Sequence, residues 1–200
     1  MSIKNIIGID EVGRGPLAGP VTLCACVVPH DFDFSLFDGI KDSKKLSEKK
    51  RMEWHAKISE MKAKEILDFA HASIPASEID RLGISHAIDE AIRLCLEELG
   101  VEPGLVEVRL DGALKAPKQF TNQRTIIKGD EKEPVISAAS IVAKVIRDRY
   151  MTEIAITYPN YGFDSHKGYG TAFHIRAIKQ DGVSPIHRMS FLKNIITTER

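Results

Sequence analysis

Apolar residues dominate Ile3 to Asp10 and again Val21 to Val28, two runs of strand length, the second stopped by Pro29. The connector between them is short, which predicts an antiparallel pair. After a loop from His30 to Leu46, Ser47 stands where an N-cap would open a charged helix reaching about Met61. Ile66 to Ser73 predicts a third strand. Ser77-Glu78-Ile79-Asp80 has the form of a capping arrangement. Behind it Ile84, Ala87, Ile88, Ala91, Ile92, Cys95, Leu96 and Leu99 recur at helical spacing until Gly100, which predicts one helix. Leu105 to Leu110 and Thr125 to Ile127 predict two more strands, ending at Asp111-Gly112 and near Gly129-Asp130. A long helix beginning at Pro134 or Ser137 carries Ala138, Ile141, Val142, Val145, Ile146 and Ile154 and stops before Pro159. Gly162 to Gly170 reads as a glycine-rich loop, and Thr171 to Gln180 as a final helix. Strands first, then strands alternating with helices, predict an α/β fold with a mixed sheet covered by helices.

Charge refines this picture. The 200 residues carry no formal net charge, so no global field draws in nucleic acid. The charge is nevertheless segregated: +4 from Lys41 to Glu65, −6 from Glu78 to Asp111, and +4 from His166 to Arg200. Basic faces can therefore flank an acidic centre, although each run taken alone also suits a solvated helix face. The 43% hydrophobic content suffices for a sizeable core. Three cysteines without metal-ligand spacing predict reduced core thiols and a cytoplasmic protein. No signal pattern opens the chain, and its longest apolar run is far too short to span a membrane.

Three of the predicted strands run into carboxylates: Asp10-Glu11, Asp111 and Asp130. Strand ends can converge at one edge of a sheet, where ligand sites form in open α/β folds. Four carboxylates brought together repel, and divalent cations resolve that repulsion. An all-oxygen donor set suits Mg²⁺ or Mn²⁺ rather than zinc. Two such ions about 3.5–4 Å apart can activate water and stabilise the leaving oxygen of a phosphodiester. Each acidic residue also has a plain structural explanation. Asp111-Gly112 is a common turn, and Asp130 and Glu131 suit a helix N-terminus. Asp10 and Glu11 can share a site only if the strand ends or twists there, because adjacent strand residues face opposite ways.

The chain resembles the bacterial type 2 ribonucleases H, the ribonuclease HII family. The matching pieces are GIDEVGRGPLAGPV (Gly8 to Val21), DSKKLSEKKR (Asp42 to Arg51), EIDRLGI (Glu78 to Ile84), DG (Asp111-Gly112), KGDEKEPVISAASIVAKVIRDR (Lys128 to Arg149), YPNYGFDSHKGYGT (Tyr158 to Thr171) and HRMSF (His187 to Phe191). They follow the family's order and cover nearly the whole chain. The resemblance implies a ribonuclease H-like fold: a five-stranded mixed sheet flanked by helices, with a helical C-terminal part. It treats residues 1–200 as one catalytic domain, with roughly 159–200 the helical extension. It also implies an endoribonuclease that cleaves the RNA strand of RNA–DNA hybrids and cuts on the 5′ side of ribonucleotides embedded in duplex DNA. Two Mg²⁺ or Mn²⁺ ions and a site of Asp10, Glu11, Asp111 and Asp130 belong to that expectation. Asp148 stands as an acidic alternative to Asp130, or as a surface partner of Lys144 or Arg149.

The same resemblance assigns substrate contacts. Gly13, Arg14 and Gly15 resemble the segment that reads the ribose 2′-hydroxyl, and Tyr169 the tyrosine that packs on the neighbouring deoxyribose. Lys44, Lys45, His166 and Lys167 are candidate phosphate contacts. Met189 stands where a second basic residue is common, which implies one phosphate contact fewer. No glutamine-led motif with paired aromatics follows Phe191, so recruitment by a sliding clamp is not expected, and a monomer is. Two other readings compete. GRGPLAG as a nucleotide-cradling loop would make the protein a binding module, but it lacks the Gly-Lys-Ser/Thr ending and precedes a strand rather than a helix. Ribonuclease HIII shares the core chemistry but carries an additional N-terminal domain, for which a motif starting at Asp10 leaves no room.

Overall fold

The computed structural model describes residues 2–40, 43 and 45–196. Strands β1 (Asn5–Val12) and β2 (Val21–Pro29) open the chain, followed by helix α1 (Glu48–Ala63) and strand β3 (Asp68–Ile74). Helices α2 (Ala76–Leu82) and α3 (Ile84–Glu98), strands β4 (Val106–Asp111) and β5 (Gln123–Ile126), the one-turn helix α4 (Gly129–Lys132) and the long helix α5 (Pro134–Thr157) come next. Helices α6 (Phe163–His166), α7 (Ala172–Asp181) and α8 (Met189–Ile196) complete the described chain.

The strands form one mixed sheet in the order β3-β2-β1-β4-β5. The short β1–β2 connector makes an antiparallel pair, as expected, and β3 adds antiparallel to β2. On the other side β4 runs parallel to β1, and β5 parallel to β4. Alternation along β1 sends Ile7 and Ile9 into the core shared with α3, and Ile6 into the core shared with α1 and α5. Gly8 lies directly under α5, where a Cβ would come within 2.4 Å of the Val135 carbonyl. Close approach at Gly8 thus lets α5 lie across the central strand. A third, smaller core of Ala18, Met151, Tyr161, Phe163, Ile178 and Leu192 seats the segment after Pro159 against the β1–β2 connector.

Ser47 caps α1 by accepting from the Lys50 amide, and Thr171 caps α7 by accepting from the His174 amide. The helix expected from Ser77 to Leu99 is instead two. Gly83, at φ +81°, breaks the chain between α2 and α3, and α2 starts after Pro75 without a side-chain cap. Asp80 serves elsewhere: its carboxylate accepts from the amides of Met189 and Ser190 at the start of α8. The loop from Gly162 to Gly170 contains the single turn α6, and α7 is not the last helix. The apolar spacing of Leu192, Ile195 and Ile196 was the available signal for α8. Cys24 and Cys26 lie buried on one face of β2 and Cys95 on the other side of the sheet, all as free thiols that burial makes hard to ionise.

Candidate active site

In the parallel register of β1 and β4, Ile9 stands opposite Leu110, and both enter the core under α3. The next residue on each strand therefore faces α5, which puts Asp10 and Asp111 side by side on one face. The chain returns after β5 through Lys128, at φ +55°, and α4 delivers Asp130 to the same place. Two hydrogen bonds secure the junction. The Gly129 amide donates to Asp111 Oδ1 at 2.6 Å, and Ser137 Oγ on α5 donates to the Asp130 carbonyl at 2.7 Å. Asp10, Asp111 and Asp130 each present an oxygen within 4.8 Å of the others.

Asp10 is only 4% exposed and Asp130 5%. Burial pushes the Asp10 carboxyl well above the usual carboxylate range, and the nearby charges of Glu11 and Asp111 push it further. Against this act hydrogen bonds from Ser140 and from the Glu11 amide, the latter 2.8 Å from Asp10 Oδ1. Ser140 Oγ in turn lies 2.8 Å from Ser43 Oγ. The donor chemistry fits a hard divalent cation: three carboxylates, largely buried, with like charges held close together.

Glu11 lies outside this group of three. β1 stays regular through Val12, so Glu11 leaves the strand on the face opposite Asp10. Burial raises its pKa, and Arg14, 3.6 Å away, pulls it down; the Asp111 charge still reaches it. Asp148 is also outside, in a 2.8 Å ion pair with Lys144 on α5.

The remaining candidates fall in three places. Gly13, Arg14 and Gly15 follow directly on β1. Gly13 takes φ +88° and packs so closely on Arg147 that a Cβ would fall 2.1 Å from its Nε. Arg14, Gly15 and Tyr169 are exposed. Lys45 pairs with Glu131, next to Asp130, at 2.7 Å, whereas Lys44 lies outside the described residues. Lys167 Nζ donates to Thr152 Oγ1 at 2.7 Å and to the Asp164 carbonyl. His166 does not fit its expected role. Its Nε2 lies 2.6 Å from the Tyr161 carbonyl and its Nδ1 accepts from the Gly168 amide at 3.2 Å. Both ring nitrogens are thus committed to bracing its own loop, and none is left for a phosphate.

Sequence reasoning missed four buried polar residues behind the exposed loops: Arg147, His174, His187 and Arg188. Of these, His187 and Arg188 fell within the recognised HRMSF segment and Arg147 within KGDEKEPVISAASIVAKVIRDR, whereas His174 lies outside the matching pieces. Arg147 sits among Val145 and Ile146, where nothing marks an arginine as internal.

A mixed sheet in this strand order, with carboxylates at the ends of its two central parallel strands, defines a hydrolase of the ribonuclease H class. The chain belongs to the ribonuclease HII family, whose pattern it matches from residue 7 to 194. It is 47% identical over 189 residues to ribonuclease HII of Shouchella clausii, covering 93% of this chain and 68% of that one. The corresponding enzyme of Lachnoclostridium phytofermentans is 48% identical over 192 residues, covering 96% and 72%. The crystal structure of ribonuclease H2 from Pyrococcus horikoshii superimposes with a TM-score of 0.74 at 27% identity, covering 96% of both chains. The fold is therefore ribonuclease H-like. Among the described residues, no helix is long and apolar enough to cross a membrane.

Proposed function

We propose that the protein is an endoribonuclease that hydrolyses the RNA strand of RNA–DNA hybrids and cuts duplex DNA on the 5′ side of embedded ribonucleotides, using two divalent cations, Mg²⁺ or Mn²⁺. The observation that carries this reading is the convergence of Asp10, Asp111 and Asp130 within 4.8 Å, at the end of the strand that leads into the exposed Arg14 and Gly15.

Asp10, Asp111 and Asp130 would hold the cations; Glu11 points to the other face of β1 and would contribute through its charge, which interacts with that of Asp111, rather than as a member of the three-carboxylate group. Bound there, divalent cations supply the positive charge that makes water acidic and that shares the charge on the leaving oxygen. The protein's own contribution is preorganisation. The Glu11 amide and Ser140 fix Asp10, and the Gly129 amide fixes Asp111, so neither carboxylate has to reorient during reaction. Attack in line on the phosphodiester leaves a 5′-phosphate and a 3′-hydroxyl.

Placement of the duplex falls to the loops. Gly13 to Gly15 approach the ribose closely enough to sense its 2′-hydroxyl, the group that separates RNA from DNA. Tyr169 packs on the adjacent deoxyribose. Lys45 and Lys167, with Lys44, contact phosphates, which positions the duplex without reading it. The substrate partners are accordingly RNA–DNA hybrids and ribonucleotide-containing DNA, bound by a monomer.

The test is Asp10→Asn. It should abolish cleavage of a duplex with one embedded ribonucleotide in Mg²⁺ or Mn²⁺ while largely preserving duplex binding. Full activity in that variant would remove the metal-site assignment.

A further inference from the structure

Two arginines lie fully buried between the sheet and the C-terminal segment, Arg147 on α5 and Arg188 just before α8. Among the described residues, neither has a carboxylate within ion-pair distance. A buried, unpaired guanidinium is strongly unfavourable unless its donors find other acceptors. Here the acceptors are main-chain carbonyls, five of them in the β1–β2 connector and the sixth that of Lys167. Arg188 donates from Nε to Gly19 at 2.9 Å, from Nη1 to Arg14 at 3.1 Å and from Nη2 to Gly13 at 2.6 Å. Arg147 donates from Nε to Pro20 at 2.8 Å, from Nη2 to Ala18 at 3.2 Å and from Nη1 to Lys167 at 2.9 Å. Burial, and then the charge of Arg147, pull Arg188 down to about 9.

This grip sets the direction of the loop's amides. In a trans peptide the N–H points opposite to the C=O, and the described residues have no cis peptide. With the Gly13 and Arg14 carbonyls drawn inward onto Arg188, the N–H groups of Arg14 and Gly15 face outward. Neither of these amides donates to an oxygen of the described residues. Both residues are exposed, and a Cβ built on Gly15 would meet no atom within 4 Å. The loop therefore carries two adjacent, unspent donors, with open space beside Gly15.

We propose that Arg188 is a positioning residue for ribose recognition: by holding the Gly13 and Arg14 carbonyls, it turns the Arg14 and Gly15 amides outward as a donor pair for the 2′-hydroxyl oxygen. The inference rests on the reading of this loop given under the proposed function. Lysine cannot substitute, because a single ammonium does not reproduce the planar fork that spans three carbonyls.

The experiment is equilibrium binding, without divalent ions, to two DNA duplexes that differ by one ribonucleotide against the deoxyribonucleotide. The wild-type protein should prefer the ribonucleotide duplex, and Arg188→Lys should shrink that preference at least about fivefold, the scale of one or two lost hydrogen bonds. Asp80→Asn loosens the same segment by weakening its hold on the Met189 and Ser190 amides, without touching the loop, and should keep the wild-type preference. Full preference in a cooperatively melting Arg188→Lys overturns the proposal, as does an equal loss in Asp80→Asn. Absence of preference in the wild-type protein overturns the reading of the loop itself. Should Arg188→Lys fail to fold, amide resonances of the wild-type protein decide. Those of Arg14 and Gly15 must move on binding the ribonucleotide duplex more than on binding its deoxy counterpart, and equal movement overturns the proposal.

Discussion

The Gly129 amide donates a 2.6 Å hydrogen bond to Asp111 Oδ1, joining the end of β4 to the turn that supplies Asp130. One contact thereby sets the spacing of two carboxylates that arrive from different parts of the chain. A methyl group on Gly129 would come 2.7 Å from Ile136 Cδ1 and 3.3 Å from Asp111 Oδ1. Gly129→Ala should cost stability about 1 kcal/mol, because the Ile136 terminus can yield. Its cleavage rate should fall about tenfold or more, because catalytic geometry tolerates little displacement. Measuring kcat and the thermal midpoint together separates the two effects, and unchanged kcat would show that this bond does not govern the site.

The carboxylate group also makes a stability prediction. Asp10 is buried with two like charges acting on it, so removing its charge should relieve the fold even as it destroys the site. Asp10→Asn should raise the thermal midpoint in chelator by about 2–4 °C, the equivalent of about 1 kcal/mol in a chain of this size. Added Mn²⁺ or Mg²⁺ should raise the wild-type midpoint and leave that of the variant nearly unmoved. A variant less stable than wild type in chelator would contradict this electrostatic account.

Recognition and cutting should separate by mutation. Tyr169 and Arg14 are exposed, and the ion pair of Arg14 is with Glu11, outside the group of Asp10, Asp111 and Asp130. Tyr169→Ala and Arg14→Ala should reduce kcat/KM about tenfold or more at a single embedded ribonucleotide, the scale of one stacking or polar contact. Cleavage of a long hybrid, with many equivalent registers, should suffer less. Equal losses on the two substrates would remove the junction-reading role.

What could be read from the sequence follows the range of the interactions involved. Strand and helix positions came from periodicity, and Ser47 acted as the cap its position indicates, because those signals are local. Asp80 misled because its partners, the Met189 and Ser190 amides, lie more than a hundred residues away. The break at Gly83 was hidden within a continuous apolar pattern. In the site, Asp10, Asp111 and Asp130 were all named, but alternation along β1 placed Glu11 on the other face, a consequence of the strand continuing to Val12. His166 looked basic and available in HKGYGT, and only the folded loop shows both its nitrogens in use. The buried arginines were illegible for a similar reason: their partners are carbonyls, which no sequence pattern marks.

A buried histidine chain links the C-terminal segment to Tyr169. The Ser184 amide donates to His187 Nδ1 at 2.8 Å, which leaves the His187 proton on Nε2. That proton is shared with His174 Nε2 at 3.0 Å, and His174 Nδ1 then donates to the Tyr169 carbonyl at 2.9 Å. The arrangement requires both rings neutral, and burial pulls His174 down to about 4 and lowers His187. Unfolded His174 protonates near 6.5, the folded residue only near 4, so across this window the unfolded chain binds more protons. The stability from the neutral ring is present above pH 6.5 and is lost as pH falls through about 4. The thermal midpoint should therefore decline from pH 6.5 to 4, and His174→Gln should flatten that decline. The same slope in the variant would exclude the histidine chain as its source.

The decisive measurement is the position of the cut on a DNA duplex with one internal ribonucleotide, because a single gel reports both reaction type and junction specificity. One incision is expected, on the 5′ side of the ribonucleotide, leaving a 3′-hydroxyl on the upstream DNA and a 5′-phosphate on the ribonucleotide, with no product from Asp10→Asn. Incision on the 3′ side, products with a 2′,3′-cyclic end, or cleavage that persists without Asp10 would contradict it.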